Sequence, residues 1–283
     1  MTANDLIAKV KNLTPVSQAA LRLVSLLDQP SIGNEHIVDI LRFDNVLTAK
    51  LLRACNSSYF GFEEQISSVE QAVLLLGHDQ ILHLVLSLAF SSTMMTPIPG
   101  CAAEGEELWR HSLVTALASE VVALDHLTLD VDPPIAFTAG LLHDIGKLVM
   151  NHVLTEDFQF VIRNRVTQGN ISRSEAEKEV IGTDHAEVGA CLLKSWRLPD
   201  DIVEAVAHHH APVSKPKPRL SALIHTSNCL ARVVGSTPGW ESFAALMNPE
   251  VVTVLALTPE RFEAMVASVQ DSLGQADQLA NVA

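Results

Sequence analysis

No apolar run in the 283 residues approaches the ~20 needed to span a bilayer, because Arg, His, Asp or Ser interrupts every candidate stretch. The opening Met1-Thr2-Ala3-Asn4-Asp5 lacks a basic flank followed by an apolar block, so no secretory leader is read and a soluble, cytoplasmic protein is expected. Cysteine is sparse: Cys55, Cys101, Cys191 and Cys229 are scattered without CxxC spacing, which argues against a disulfide framework and a zinc ribbon. Cations are outnumbered, 19 Lys and Arg against 33 Asp and Glu, and the net charge of −14 disfavours nonspecific attraction to nucleic acid or anionic lipid. The densest basic cluster, Lys215, Lys217 and Arg219, sits among prolines and reads as a solvated loop. Sustained period-two alternation, low-complexity tracts and fixed-period repeats are also missing, which leaves little room for a sheet or a solenoid.

What is present is apolar material, 48% of residues, arranged at helical spacing. Val16, Ala19, Ala20, Leu23, Val24 and Leu27 line one helix face, and residues 34–41 and 45–55 repeat the pattern behind Asn34 and Asn45, each able to cap. Ser67-Ser68-Val69-Glu70 resembles a capping box, and Asp79 to Phe90 is apolar almost all round, as a helix buried between others would be. Thr96-Pro97-Ile98-Pro99-Gly100 marks a boundary. Further helices are predicted over 106–126, 135–150, 153–167, 175–181, 184–196, 200–210, 220–234 and, after a weakly patterned stretch, 259–279. The expected fold is all-α: an N-terminal helical bundle (1–100), a second helical bundle (101–235) and a C-terminal helical extension (236–283) that docks on the rest of the chain.

The second bundle is organised around Gly140-Leu141-Leu142-His143-Asp144-Ile145-Gly146-Lys147, an imidazole and a carboxylate closing an apolar run. On one continuous helix adjacent side chains diverge by about 100°, so this pair shares a face only if an ion beside the helix is reached from both sides. Of the twelve histidines, His111, His143, His185, His208, His209, His210 and His225 fall on several predicted helices or helix ends of this region. Converging His and Asp suit iron, manganese or zinc in a helical protein. An isolated helical histidine is more often exposed or hydrogen-bonded, and His36, His78, His83, His126 and His152 read that way. The run His208-His209-His210 also admits a solvated helix end.

These residues, taken in order, carry a resemblance. His111, His143-Asp144 with Ile145-Gly146-Lys147, His185 and His209-His210 resemble the HD superfamily of metal-dependent phosphohydrolases. Leu41 to Ser57, Ile66 to Gly77, and Gly182 to Ala190 with Trp196 and Leu198-Pro199 resemble the narrower HDOD (HD-related output domain) proteins, over roughly residues 13 to 235. The resemblance implies a bacterial signalling or regulatory protein with an N-terminal bundle packed on an HD-like bundle. It also implies one or two divalent transition ions held by His111, His143, Asp144, His185, His209 and His210. Glu107, one turn before His111, is similar to a Glu-His pair in some HD-GYP proteins and is a further candidate ligand. Where HD hydrolases place a final Asp this chain has Asn228, a neutral donor; the acidic residue expected after the paired histidines and the GYP signature are absent too.

Two functions follow. One is an output or interaction module that binds other signalling proteins or a small phosphorylated ligand, keeping an HD-type metal site. The other is a phosphohydrolase or phosphodiesterase acting on a nucleotide or other phosphoester, in which the metal lowers the pKa of a water and Lys147, the candidate catalytic residue, faces a phosphate oxygen. Without the resemblance, Lys147 reads as a surface lysine at a helix end. Oligomeric state is not legible in the sequence.

Overall fold

In a computed structural model of the chain, the described residues are all except 11–15, 28–32, 58–59, 63, 96–101, 126–129, 170, 213–218, 237–246 and 283. The expected boundary at Thr96 to Gly100, together with Cys101, His126, Lys215 and Lys217, lies outside them. Among the described residues the fold is all-α, with no strand. The first part comprises α1 (Ala3–Lys9), α2 (Gln18–Leu26), α3 (Asn34–Leu41), α4 (Asn45–Cys55), α5 (Val69–Leu76) and α6 (His78–Met94). The second comprises α7 (Ala102–Asp125), α8 (Pro133–Leu142), α9 (Ile145–Val153), α10 (Glu156–Gly169), α11 (Arg173–Ile181), α12 (His185–Ser195), α13 (Asp200–His208) and α14 (Arg219–Val233); α15 (Pro249–Val254) and α16 (Pro259–Val282) follow. No helix is long and apolar enough to cross a membrane among the described residues.

Local chemistry sets the helix starts. The caps of α3 and α4 are Gly33 and Asp44, one residue before the asparagines expected in that role, and the Asp44 carboxylate accepts from Leu47 N at 2.9 Å. For α5 the capping residue is Ser68, whose hydroxyl accepts from Gln71 N at 3.1 Å, while Gln71 Oε1 accepts from Ser67 N at 3.0 Å. Helix α6 is buried on nearly every side, as its sequence suggests, because α2, α4, α5, α7, α8 and α16 all pack on it.

Neither end of the chain respects the divisions at 100 and 235. Helix α1 packs on α9 and α12, and the Met1 ammonium donates to Ile181 O at 2.7 Å. Helix α16 lies along α7 and also touches α14, α6 and α4, the intramolecular docking its apolar face calls for. One continuous apolar core runs from Leu6 to Ala276.

Glycine sets two of the helix approaches. A Cβ on Gly140 would stand 2.9 Å from Thr115 O and 3.0 Å from Ala116 Cα, so α8 presses on α7 backbone to backbone and carries His143 beside His111. The single helix expected over 135–150 is in fact two. Helix α8 ends at Leu142, Asp144 sits at φ −100°, ψ 9°, and α9 begins at Ile145. His143 Nδ1 donates to Gly140 O at 2.7 Å, a carbonyl that a continuous helix offers to the Asp144 amide. This break turns the two neighbouring side chains, which a straight helix would splay apart, toward one centre.

Candidate metal centre

Five imidazoles and one carboxylate converge from α7 (His111), the α8–α9 junction (His143, Asp144), the first residue of α12 (His185) and the turn after α13 (His209, His210). All are fully buried except His210, which is half-buried. Asp144 sits between two groups of donors. Its Oδ2 lies 3.2 Å from His143 Nε2 and 3.7 Å from His111 Nε2, and its Oδ1 lies 3.3 Å from His185 Nε2 and 3.8 Å from His209 Nε2. The ligand atoms of His111, His143 and Asp144 all lie within 4.8 Å of one another, as do those of His185, His209 and His210.

The rings are aimed by what holds their outer nitrogens. Nδ1 of His111 donates to Ser236 O at 2.7 Å, that of His143 to Gly140 O at 2.7 Å, and that of His209 to Val206 O at 2.8 Å. In a neutral ring held in this way, Nε2 carries the lone pair. These three nitrogens, and both oxygens of Asp144, have no well-directed hydrogen-bond partner. Three buried imidazole nitrogens without a hydrogen-bond partner, each ring fixed from behind, suit a divalent transition ion. The residues would therefore fit one or two such ions.

His185 is held differently. Its Nδ1 donates to Glu177 Oε2 at 2.6 Å, Glu177 also accepts from His185 N at 2.8 Å, and Arg173 Nε reaches the other Glu177 oxygen at 2.6 Å. Across the ring, His185 Nε2 and His210 Nε2 are 2.8 Å apart, and either nitrogen can be the donor. Burial opposes charge on His185, but Glu177 and Asp144 outweigh it and push its pKa up to about 9. Burial dominates at His111, pushed down to about 3, and it also holds His209 and His210 well below the ordinary imidazole range. Burial would raise the Asp144 carboxyl; the charges of His143 and Lys147 overcome it and hold the group well below the usual carboxylate range.

The other candidates stand elsewhere. Lys147 is not a surface lysine: it is 1% exposed, with Nζ 2.8 Å from Asp144 Oδ2. Glu107 is exposed while His111 is fully buried, so the i,i+4 pair does not share the centre. Asn228 Oδ1 accepts from Arg232 Nε at 3.1 Å one turn on. His208 faces Glu204 at 3.7 Å, and His225 Nδ1 donates to His209 O at 2.9 Å. Sequence reasoning missed Glu177, whose i,i+4 spacing from Arg173 reads as an ordinary surface pair. We expect Glu177→Gln to weaken metal affinity about 10–100-fold, as loss of a carboxylate behind a ligand histidine does, measured by competition with a chelator. Unchanged affinity would show that His185 is not a ligand.

Beside His185 and His210 opens a cleft of about 320 Å³, lined among others by Arg173, Lys178 and Arg232.

The HDOD domain family matches residues 13–212. The chain belongs to the HDOD family. The crystal structure of an HDOD domain protein of unknown function from Geobacter sulfurreducens superposes with a TM-score of 0.76 at 25% identity, covering 99% of this chain and 95% of that one. A Marinobacter aquaeolei protein provisionally named for signal transduction gives 0.78 at 20% identity, over 99% of this chain and 65% of that one. Ribonuclease Y of Lawsonia intracellularis is 32% identical over 134 residues, 47% of this HDOD chain and 19% of that protein. This HDOD chain spans less than half the length of the first curated relatives it matches.

Proposed function

We propose that this HDOD protein is a bacterial signal-transduction output or interaction module whose HD-like bundle holds one or two divalent transition ions. Its partners would be other signalling proteins or a small phosphorylated ligand. The observation that carries the reading is the donor set: four fully buried imidazoles and a half-buried fifth gathered with a single carboxylate, with Asn228 Oδ1 accepting from Arg232. Such a centre has the donors to bind iron, manganese or zinc, while the final acidic ligand that HD hydrolases supply is replaced here by the neutral Asn228. A bound divalent ion supplies Lewis acidity and local positive charge. The chain's own residues orient the donors, exclude bulk water and keep the Lys147 ammonium on Asp144. The name of the Marinobacter protein agrees with a signalling role.

A second reading, a metal-dependent phosphohydrolase or phosphodiesterase with Lys147 near the phosphate, is favoured by the cleft beside His185 and His210, whose Arg173, Lys178 and Arg232 suit an anion. One experiment separates the two: metal content after aerobic and anaerobic purification, followed by assay of the loaded protein on nucleotides, cyclic dinucleotides and a short RNA. The module reading expects bound metal, a thermal gain on metal addition and no turnover. Turnover abolished by His143→Ala would overturn it in favour of the hydrolase, and absence of any metal effect would remove both.

A further inference from the structure

The HDOD match ends at residue 212, yet two of the six candidate ligands are held by, or through, residues beyond it. Ser236 supplies the carbonyl that His111 Nδ1 meets at 2.7 Å. That carbonyl is aimed by the turn closing α14: Gly235 adopts φ +84°, its amide donates to Arg232 O at 3.0 Å, and Ser236 N donates to Ala231 O at 2.9 Å. His225 on α14 makes the second connection. Its Nε2 accepts from the Asn248 amide at 3.1 Å, which leaves Nδ1 protonated to donate to His209 O at 2.9 Å. Asn248 is also the cap of α15, accepting from Glu250 N at 2.8 Å. The segment is seated by buried Val251, Leu255, Met265 and Val269, and by Arg261 on Asp125 (2.7 Å) and Asp277 on Arg110 (2.6 Å), the residue before His111.

Resting on the metal reading above, we propose that docking of Ser236 and of the residues from Met247 onward is thermodynamically linked to metal binding, with His225 and the Ser236 carbonyl as the positioning groups. An ion that binds only when His111 and His209 are aimed also favours the docked segment. By reciprocity, anything that pulls the segment away loosens the ion. A partner that captures this segment thereby reads the loading state of the centre.

The test uses the full chain with manganese(II) or zinc(II) alone. Affinity is read by calorimetry, and amide exchange is followed over residues 247–256. In the wild type, metal should slow exchange there. His225→Leu should bind about 10–100-fold more weakly and lose the metal-dependent protection, whereas His225→Gln, which can both donate and accept, should restore much of each. A folded His225→Leu with wild-type affinity and protection overturns the linkage, as does a wild type that binds metal without protecting 247–256. A wild type that binds neither ion overturns the metal reading itself. Should His225→Leu not fold, Asn248→Pro and Asn248→Ala replace it. Asn248 has φ −66°, which proline accepts; both variants lose the cap, and only the proline loses the amide. The proline variant should bind more weakly than the alanine variant, and equal affinities overturn the proposal.

Discussion

Asp144→Asn is expected to destabilise the protein by about 3–5 kcal/mol, the usual effect of removing one partner of a buried ion pair. The replacement keeps shape and volume, so packing is unchanged, but Lys147, 1% exposed and 2.8 Å from Oδ2, loses a full opposite charge. The melting temperature should fall by roughly 10 °C, given ~2–4 °C per kcal/mol for a chain of this order of size. Metal binding should be lost as well, so that manganese or zinc no longer raises the melting temperature. The two effects separate in the double variant Asp144→Asn/Lys147→Met, where the ammonium is gone too. That protein should regain most of the stability and none of the metal response. If Asp144→Asn alone melts like the wild type, the Lys147 charge is balanced by other groups.

The other large effect is at Gly146. Intrinsic helix propensity makes Gly146→Ala stabilising by about 1 kcal/mol at an ordinary helical position. Here the sign should reverse. The added Cβ would overlap the His185 carbonyl oxygen and lie 2.6 Å from Gly189 N, so α9 meets α12 at main-chain atoms that no rotamer change can move aside. Overpacking ordinarily costs ~1–3 kcal/mol, and a backbone-to-backbone clash belongs at or beyond the upper end. Separating the helices would carry His185 away from Asp144, so any folded Gly146→Ala protein should also bind metal weakly. Chemical denaturation with a metal titration on the same sample checks both. A variant as stable as the wild type would mean that α9 and α12 do not pack in this register.

The all-α fold, the buried character of α6 and the docking of α16 were legible because each follows from apolar periodicity, which acts along a single helix. The six converging residues were legible only through their order and likeness to a family. Their aim was not. Whether 135–150 is one helix or two depends on the His143 ring capturing the Gly140 carbonyl, an event with no residue-type signature. Glu107 shows the converse failure: its spacing from His111 is right, but which side of α7 faces water is decided by the elements packed on it. Glu177 was invisible because the residue it serves, His185, lies on the next helix, across the junction between α11 and α12. The capping asparagines missed by one position, since Gly33 and Asp44 were competing caps immediately before them.

Gly140, Val206 and Ser236 orient three rings with main-chain oxygens, and no side-chain replacement deletes a main-chain oxygen. The geometry of the centre is therefore inherited with the path of the backbone. Exchanging His111 or His209 removes one donor and leaves the other main-chain-held rings with the carbonyls that aim them. A centre built this way can be dismantled stepwise, each step leaving a folded protein with a smaller but still ordered donor set. Divergence in ion preference, or outright loss of the ion, can thus proceed without the bundle having to be rebuilt.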